Sequence, residues 1–468
     1  MILNKQKDKK IGIFGLGKTG LSAYDALKIQ ASVICYDDSA ESRNAFLKER
    51  PESSLVPIDD PRWLQLDKII LSPNIPLQFP KKHPLVYLAE QYNIEITSDM
   101  ELLHEEFPEA PFVAITGTNG KSTTTALIGH ILNYCNKPYQ VGGNIGQACL
   151  TLEPPSLDNG YVLETSSYQL DLLKDFHLKV AVFLNITPDH IDRHGSLENY
   201  INAKKKIFNY LKEDSIAVIA IDNKVSYHVY QELLSQKPTY QIIPVSTHQS
   251  LKNGIYVEVH NGAKFIQINL PSEKLSIEFK QNKCLQGNHN LENILASFAV
   301  AKSLGCREHA ILEAVDKFQG LPHRMQFIAE TENIRFYNDS KATNADSAEK
   351  SLGSLENIYW LAGGLPKEGG IESLIYLKDR IKKAYLFGQA AEAFAKTLEG
   401  KVEYKIFKNL EEAFTEASND AEQSNIEGYN NILLAPACAS WDQFKNFEER
   451  GNKFIELVKK YTNLKKKI

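Results

Sequence analysis

The chain has 468 residues, 43% hydrophobic and 24% charged, with a net charge of −5 and a pI near 6.2. That length exceeds one ordinary core and suggests about three domains of roughly 150 residues each. The charge balance gives no electrostatic case for nucleic acid or an anionic membrane surface, so the expected partners are small molecules. The six cysteines (Cys35, Cys135, Cys149, Cys284, Cys306, Cys438) lack C-x-x-C spacing. Neither a zinc site nor a disulfide framework is expected, and a reducing compartment fits. The apolar run after the lysine-rich start is broken by Gly12, Gly15 and Gly17, and no run approaches membrane-spanning length, so a cytoplasmic protein is expected.

In chain order, Ile11 to Phe14 reads as a buried strand, followed by Gly15-Leu16-Gly17-Lys18-Thr19-Gly20 and a helix from Leu21 to Lys28. A second strand, Ser32 to Tyr36, ends in Asp37-Asp38, which completes the G-x-G-x-x-G pattern of a Rossmann-like nucleotide unit. Lys68 to Leu71 reads as a further strand tipped by Ser72-Pro73-Asn74, and this first domain closes near residue 98.

Val113 to Thr116 leads into Gly117-Thr118-Asn119-Gly120-Lys121-Ser122-Thr123 and a helix start at Ala126. Glycines let the backbone bend close to a ligand, and N–H groups at a helix start point at phosphate. Lys121 would meet the β/γ oxygens, and Ser122 or Thr123 would offer a hydroxyl to Mg²⁺. Ile115 stands where G-x-x-x-x-G-K-[ST] wants glycine, so the loop is a shortened variant. Strands at Tyr161 to Glu164 and Val180 to Asn185 end in polar residues, and their tips should converge with the loop at one edge of a mainly parallel sheet.

Glu164 closes an apolar strand, where a carboxylate is costly to bury unless it is paired or binds metal. His190, after Thr187-Pro188-Asp189, reads by itself as a cap or core histidine. Past Gly195-Ser196, the stripe Leu197, Tyr200, Ile201, Phe208 and Leu211 defines a helix; at about 100° per residue Lys204 falls at its buried centre, Lys205 at its edge and Lys206 on the opposite face. A core-facing lysine implies a depressed pKa, a buried partner, covalent modification, or a side chain that reaches the surface. Ile216 to Lys283 reads as strand-rich and irregular. Gly287 to Asn293 starts a helix with Asn290 and Asn293 on one face.

After a boundary at Gly320-Leu321-Pro322, strands Ile334 to Tyr337, Ile358 to Leu361, Ala384 to Phe387 and Asn431 to Leu434 form a second Rossmann-like sheet. The expected architecture is α/β in three domains: a Rossmann-like domain at 1–98, a central P-loop-type domain at 99–320, and a Rossmann-like domain at 321–468.

Taken together, TGTNGKST, NITPDHIDRH, GNHNLEN, LPHRM, NDSKATN and PACASWDQFKNFEERG resemble the Mur ligases, ATP-dependent amino-acid-adding enzymes of peptidoglycan synthesis. GLGKTGLS, NDSKATN and ASWDQFKNFEERG are most similar to the member that adds D-glutamate to UDP-N-acetylmuramoyl-L-alanine. The resemblance implies an acyl-phosphate route, a role in cell-wall synthesis, cell shape and division, and a monomer. It implies that Gly117, Thr118, Asn119, Gly120, Lys121, Ser122, Thr123, Asn290, Asn293, Arg324 and Asp339 bind ATP. Ser122, Thr123, Glu164, His190 and Lys204 would hold two Mg²⁺, with Lys204 carrying a CO₂-derived carbamate, and Lys341 would face the reacting phosphoryl group. Leu16, Lys18, Thr19, Asp37, Ser72, Asn144 and Gln169 would bind the UDP-sugar, and Thr343, Lys367, Ser440 and Phe447 the amino acid. Asp38-Ser39 replaces a Thr-Arg pair expected beside the uridine, and Asn74 replaces a glycine. Catalytic groups on both the second and third domains imply closure at some stage.

Two other readings compete. A folylpolyglutamate-type ligase is opposed by the full first domain, and an NAD-dependent dehydrogenase leaves Lys121, Glu164 and Lys204 unexplained.

Overall fold

The computed structural model describes residues 1–156, 159–282, 284–285, 287–366, 370–426 and 428–465. It holds three sheets in two compact units, the first formed by Met1–Gln281 with Asn288–Lys317 and the second by Asn282–Gly287 with Phe318–Ile468. Lys367 lies outside the described residues.

The first sheet contains β1 (Lys10–Phe14), β2 (Ser32–Tyr36), β3 (Lys68–Leu71) and β4 (Glu95–Thr97), all parallel, in the order β2-β1-β3-β4. The second contains β5 (Phe112–Thr116), β6 (Gln140–Gly143), β7 (Tyr161–Glu164), β8 (Leu178–Phe183), β9 (Leu211–Ala220), β10 (Gln241–Ser246), β11 (Gly254–His260), β12 (Ala263–Leu270) and β13 (Glu273–Phe279). Its order is β13-β12-β11-β10-β9-β8-β5-β7-β6, parallel from β6 to β11 and antiparallel over the last three strands. β5 and β7 are buried at every residue, as expected of central parallel strands covered on both faces.

Two readings shift here. β8 stops at Phe183, so Asn185 lies in the loop beyond the sheet edge. The stretch from Ile216 contains a regular helix, Lys224–Ser235, capped by Asn223, whose side chain accepts from the N–H groups of Val225 and Ser226.

Within this unit, Arg193 donates to the carbonyls of Ile75 (3.0 Å) and Phe79 (3.2 Å) and stacks over Tyr168, tying the first sheet's loops to the second. The second unit has one sheet of β14 (Gln326–Glu330), β15 (Ile334–Asn338), β16 (Ile358–Gly363), β17 (Ile381–Phe387), β18 (Tyr404–Phe407) and β19 (Asn430–Leu434), ordered β14-β15-β19-β16-β17-β18 with only β14 antiparallel. Among the described residues no helix is long and apolar enough to cross a membrane.

Candidate active site

The loop after β5 takes the shape its glycines allow. Gly117 has φ +151°, and Gly120 has φ +84° as the residue before the helix Lys121–Tyr134. A side chain at Gly120 would collide with Asn293 Oδ1, so glycine is required by the close approach as well as by φ. Asn293 is buried, accepts from Thr124 Oγ1 (3.1 Å) and donates to Asn290 Oδ1 (3.2 Å), which joins the GNHNLEN helix start to the phosphate-loop helix. Lys121 Nζ donates to the carbonyls of Gly117 (3.0 Å) and Thr118 (2.8 Å), so its ammonium lies over the loop.

The tips of β5, β7 and β8 converge as their polar ends suggest. Thr118 Oγ1 contacts Tyr200 OH (3.1 Å) and the Thr187 carbonyl (3.2 Å), and the Asn119 N–H donates to Asn185 Oδ1 (3.0 Å). Glu164 is buried; Oε1 accepts from Asn144 Nδ2 (3.0 Å), and Oε2 is buried with no hydrogen-bond partner. An ionised oxygen in that state is costly unless a cation completes it. His190 sits in the left-handed region (φ +52°) with its ring exposed, 3.5 Å from Asp189 Oδ2, and near Tyr168. His194, the last residue of the NITPDHIDRH motif, is instead buried against Ser167 Oγ (3.0 Å).

Lys204 is 2% exposed. Its Nζ donates to the Gly117 carbonyl (2.8 Å) and Thr116 Oγ1 (3.4 Å) and lies 4.8 Å from the Tyr200 ring centre. Burial, and next the Lys121 charge, bring its pKa down to about 7, against the smaller pull of Asp189 and Glu164. The helix register is as the periodicity indicates: Lys204 is buried, while Lys205 pairs with Glu232 and Lys206 with Asp171. The regular helix ends at Lys205, however, and Phe208 belongs to a tighter turn running on to Tyr210.

The residues expected to hold a UDP-sugar lie in the same unit. Gly15 (φ +95°) abuts Ser72 so closely that a side chain would not fit, and Gly17 precedes the helix Lys18–Leu27 with Lys18 exposed and Thr19 half-buried. Asp37 is engaged by its own backbone: Oδ2 accepts from the Leu16 N–H (2.6 Å) and Oδ1 from the Ser39 N–H (2.8 Å). Ser39 caps the helix Ala40–Glu49, Asp38 pairs with His83 (3.0 Å), and Arg43 donates to the carbonyls of Asp37 and Asp38 while lying over Tyr36. A guanidinium thus reaches this corner from one turn along the helix. Asn74 is exposed in the turn after Ser72. Gln169 is buried in a capping box with Ser166.

In the second unit, Asp339 is buried, accepts from Ser351 Oγ and the Met325 N–H (3.2 Å), and is raised by desolvation to about 6. Arg324 is exposed, and its charge acts on Asp339. Lys341 Nζ lies 4.6 Å from the Phe447 ring centre, Thr343 donates its N–H to the Lys341 carbonyl (2.8 Å), and Ser440 is buried at a turn closed by the Gln443 and Phe444 N–H groups. The sequence reading missed Arg450, fully buried among these loops; a lone arginine within FEERG carried no periodic signal to mark it as interior.

Residues 115–301 match the family model of the Mur ligase middle domain, and residues 323–438 that of the Mur ligase glutamate ligase domain. The chain belongs to the Mur ligase family. It is 50% identical to the UDP-N-acetylmuramoylalanine–D-glutamate ligase of Rickettsia felis, over 98% of this chain and 99% of that one. The enzyme of the same name from Rhodospirillum rubrum is 42% identical over 96% of this chain and 94% of that one. Among solved structures, MurF from Acinetobacter baumannii matches with a TM-score of 0.59 at 16% identity, covering 95% of this chain and 93% of that chain. UDP-N-acetylmuramate-alanine ligase MurC from Thermotoga maritima gives 0.56 at 19% identity, over 97% and 100%.

Proposed function

We propose that this protein is an ATP-dependent ligase that joins D-glutamate to UDP-N-acetylmuramoyl-L-alanine, releasing ADP and phosphate, in cytoplasmic peptidoglycan precursor synthesis that serves cell shape and division. The observation that carries this reading is the 50% identity, over 98% of the chain, to a relative of that name. The γ-phosphoryl group of ATP passes to the carboxylate of the alanyl substrate. The amine of the amino acid then attacks the acyl phosphate, and phosphate leaves to give the amide. Phosphoryl transfer of this kind depends on positioning and charge neutralisation.

Each residue group has a part in this. Asn185 holds the Thr118 and Asn119 N–H groups and so fixes the loop. Gly120 and the helix start offer backbone N–H groups to the phosphates, Lys121 exchanges its loop carbonyls for phosphate oxygens, and Asn290 and Asn293 hold the nucleotide. Arg324 and Asp339 are further ATP-binding residues in this reading. The donor set fits magnesium: Glu164 Oε2 is buried and without a partner, and Ser122, Thr123 and His190 flank the same loop. Two Mg²⁺ held there would neutralise charge on the transferring phosphoryl group.

Among the described residues no cluster of three histidine, cysteine or acidic side chains is available for a metal. A carbamate on Lys204 supplies the missing anionic oxygens, and a lysine with a pKa of about 7 is half neutral near pH 7 and so able to attack CO₂. Leu16, Lys18, Thr19, Ser72, Asn144 and Gln169 hold the UDP-sugar, with Asp37 fixing the Leu16 backbone. Lys341 neutralises the reacting phosphoryl group and the tetrahedral intermediate, and Thr343, Ser440 and Phe447 hold the glutamate, together with Lys367.

The test is incubation with ATP, Mg²⁺, UDP-N-acetylmuramoyl-L-alanine and radiolabelled D-glutamate. Label should enter the UDP-sugar fraction only when all components are present. Label that enters without ATP, or not at all, would contradict the proposal.

A further inference from the structure

Arg450 sits in the first turn of the helix Phe447–Lys465, and its side chain is completely buried. A buried guanidinium ordinarily has a carboxylate beside it. Here every hydrogen-bond acceptor is a neutral oxygen, and Asp442 acts on the charge without bonding the fork. Nε donates to Ser340 Oγ (3.0 Å), Nη2 to the carbonyls of Ser340 (2.9 Å) and Cys438 (3.1 Å), and Nη1 to those of Ala439 (3.3 Å) and Gly363 (3.5 Å). Burial lowers its pKa only to about 10, so the charge persists at neutral pH.

The acceptors are informative by position. Gly363 ends β16, while Ser340 follows β15 and Cys438 and Ala439 follow β19, three strands adjacent in the sheet order β15-β19-β16. One planar fork therefore fixes the loops at the carboxyl ends of three neighbouring strands, the edge where ligands bind in parallel α/β sheets. Gly364 is shaped to admit it: with φ +134°, a side chain there would meet Arg450 Nη1 at 3.0 Å and collide with the Ala439 carbonyl. Ser340 Oγ also donates to the Phe447 carbonyl (2.8 Å), closing the loop onto the helix start.

Lys341 and Ser440, the residues assigned to the reacting and amino-acid ends, each adjoin one of these acceptors in sequence. We propose that Arg450 is the positioning residue of the amino-acid pocket: by bonding Ser340, Cys438 and Ala439 it sets the spacing of the Ser340-Lys341 and Ala439-Ser440 loops. The inference rests on the reading of the second unit as the amino-acid-binding one.

Arg450→Lys keeps a cation but cannot serve five oxygens in a plane. Ser340→Ala keeps Arg450 and removes one acceptor. Asp339 is held separately by Ser351 and Met325, so ATP binding should be spared. The experiment is steady-state kinetics of both variants, with the unfolding midpoint measured alongside, and Thr343→Ala as a reference for the pocket itself. Arg450→Lys is expected to raise KM for D-glutamate by about tenfold or more while KM for ATP and for the UDP-sugar stays within about twofold, and Ser340→Ala to shift the same constant by less. Equal rises in all three KM values, or a lower kcat with glutamate KM unchanged, would overturn it. If Thr343→Ala raises glutamate KM and neither other variant does, the pocket reading stands and the role of Arg450 falls. If all three leave glutamate KM unchanged, both fall. Should Arg450→Lys fail to fold, Ser340→Ala decides alone, and an unchanged glutamate KM in it overturns the proposal.

Discussion

Replacing Lys204 by methionine removes a charge that the fold holds at a cost. The pKa of Lys204 falls from 10.5 to about 7, first through desolvation and then through the Lys121 charge. Between those two values the folded chain binds fewer protons than the unfolded chain, so this group makes stability rise with pH across the window, and below about pH 7 its full penalty is present. The shift of 10.5 − 7, about 3.5 pH units at 1.36 kcal/mol each, corresponds to about 5 kcal/mol near pH 6; at pH 9 only 10.5 − 9, about 1.5 units or about 2 kcal/mol, remains. Methionine lifts the penalty but removes one of the two ammonium groups that donate to the Gly117 carbonyl, a loss of about 1–2 kcal/mol. Lys204→Met should therefore be more stable than the parent by about 3 kcal/mol at pH 6, nearly equal to it at pH 9, and without ligase turnover at either. Urea unfolding at both pH values in CO₂-free buffer, which keeps the amine unmodified, measures the first part, and phosphate release the second. A variant less stable than the parent at pH 6, or a stability difference that does not change with pH, would refute the reasoning.

Lys121→Ala should stop acyl-phosphate formation, because the loop loses the ammonium that lies over the Gly117 and Thr118 carbonyls; substrate-dependent ADP release that persists would remove Lys121 from the phosphate site. Lys206→Ala loses only a half-exposed pair with Asp171, so stability should change by less than about 1 kcal/mol and kcat by less than about twofold. A loss comparable to that of the Lys204 variant would mean the wrong lysine faces the site. Asp99 is buried with Oδ1 unpartnered, and desolvation raises its pKa from 3.8 to about 6. The folded state thus holds the extra proton between those values, and stability should fall by about 3 kcal/mol as pH rises from about 4 to 7. Asp99→Asn should flatten that part of the stability profile, and an unaltered slope in unfolding midpoints would show that Asp99 does not cause it.

The elements that announced themselves in the sequence are those whose local physics is decisive. β2, β3 and β7 fall where their apolar runs place them, and β7, central in its sheet and buried at every residue, shows why: a strand covered on both faces is a nearly continuous apolar run. Lys204 was recoverable as interior because a helix repeats and its apolar stripe fixes the register. The end of that helix was not, since Phe208 continues the stripe while the backbone tightens. The helix Lys224–Ser235 was concealed within a stretch of β-branched residues, and its signal was the short polar cap at Asn223. The partnering of Asp37 with the Leu16 backbone and the fork of Arg450 across three loops depend on residues 21 and up to 110 positions apart. No local pattern encodes such pairs, and burial alone reveals them.

The most direct test of the account is phosphate release with ATP, Mg²⁺ and UDP-N-acetylmuramoyl-L-alanine, comparing D-glutamate with L-glutamate and other amino acids. Turnover with D-glutamate alone is the expected result. Turnover that is indifferent to the amino acid, or that does not need the UDP-sugar, would contradict it.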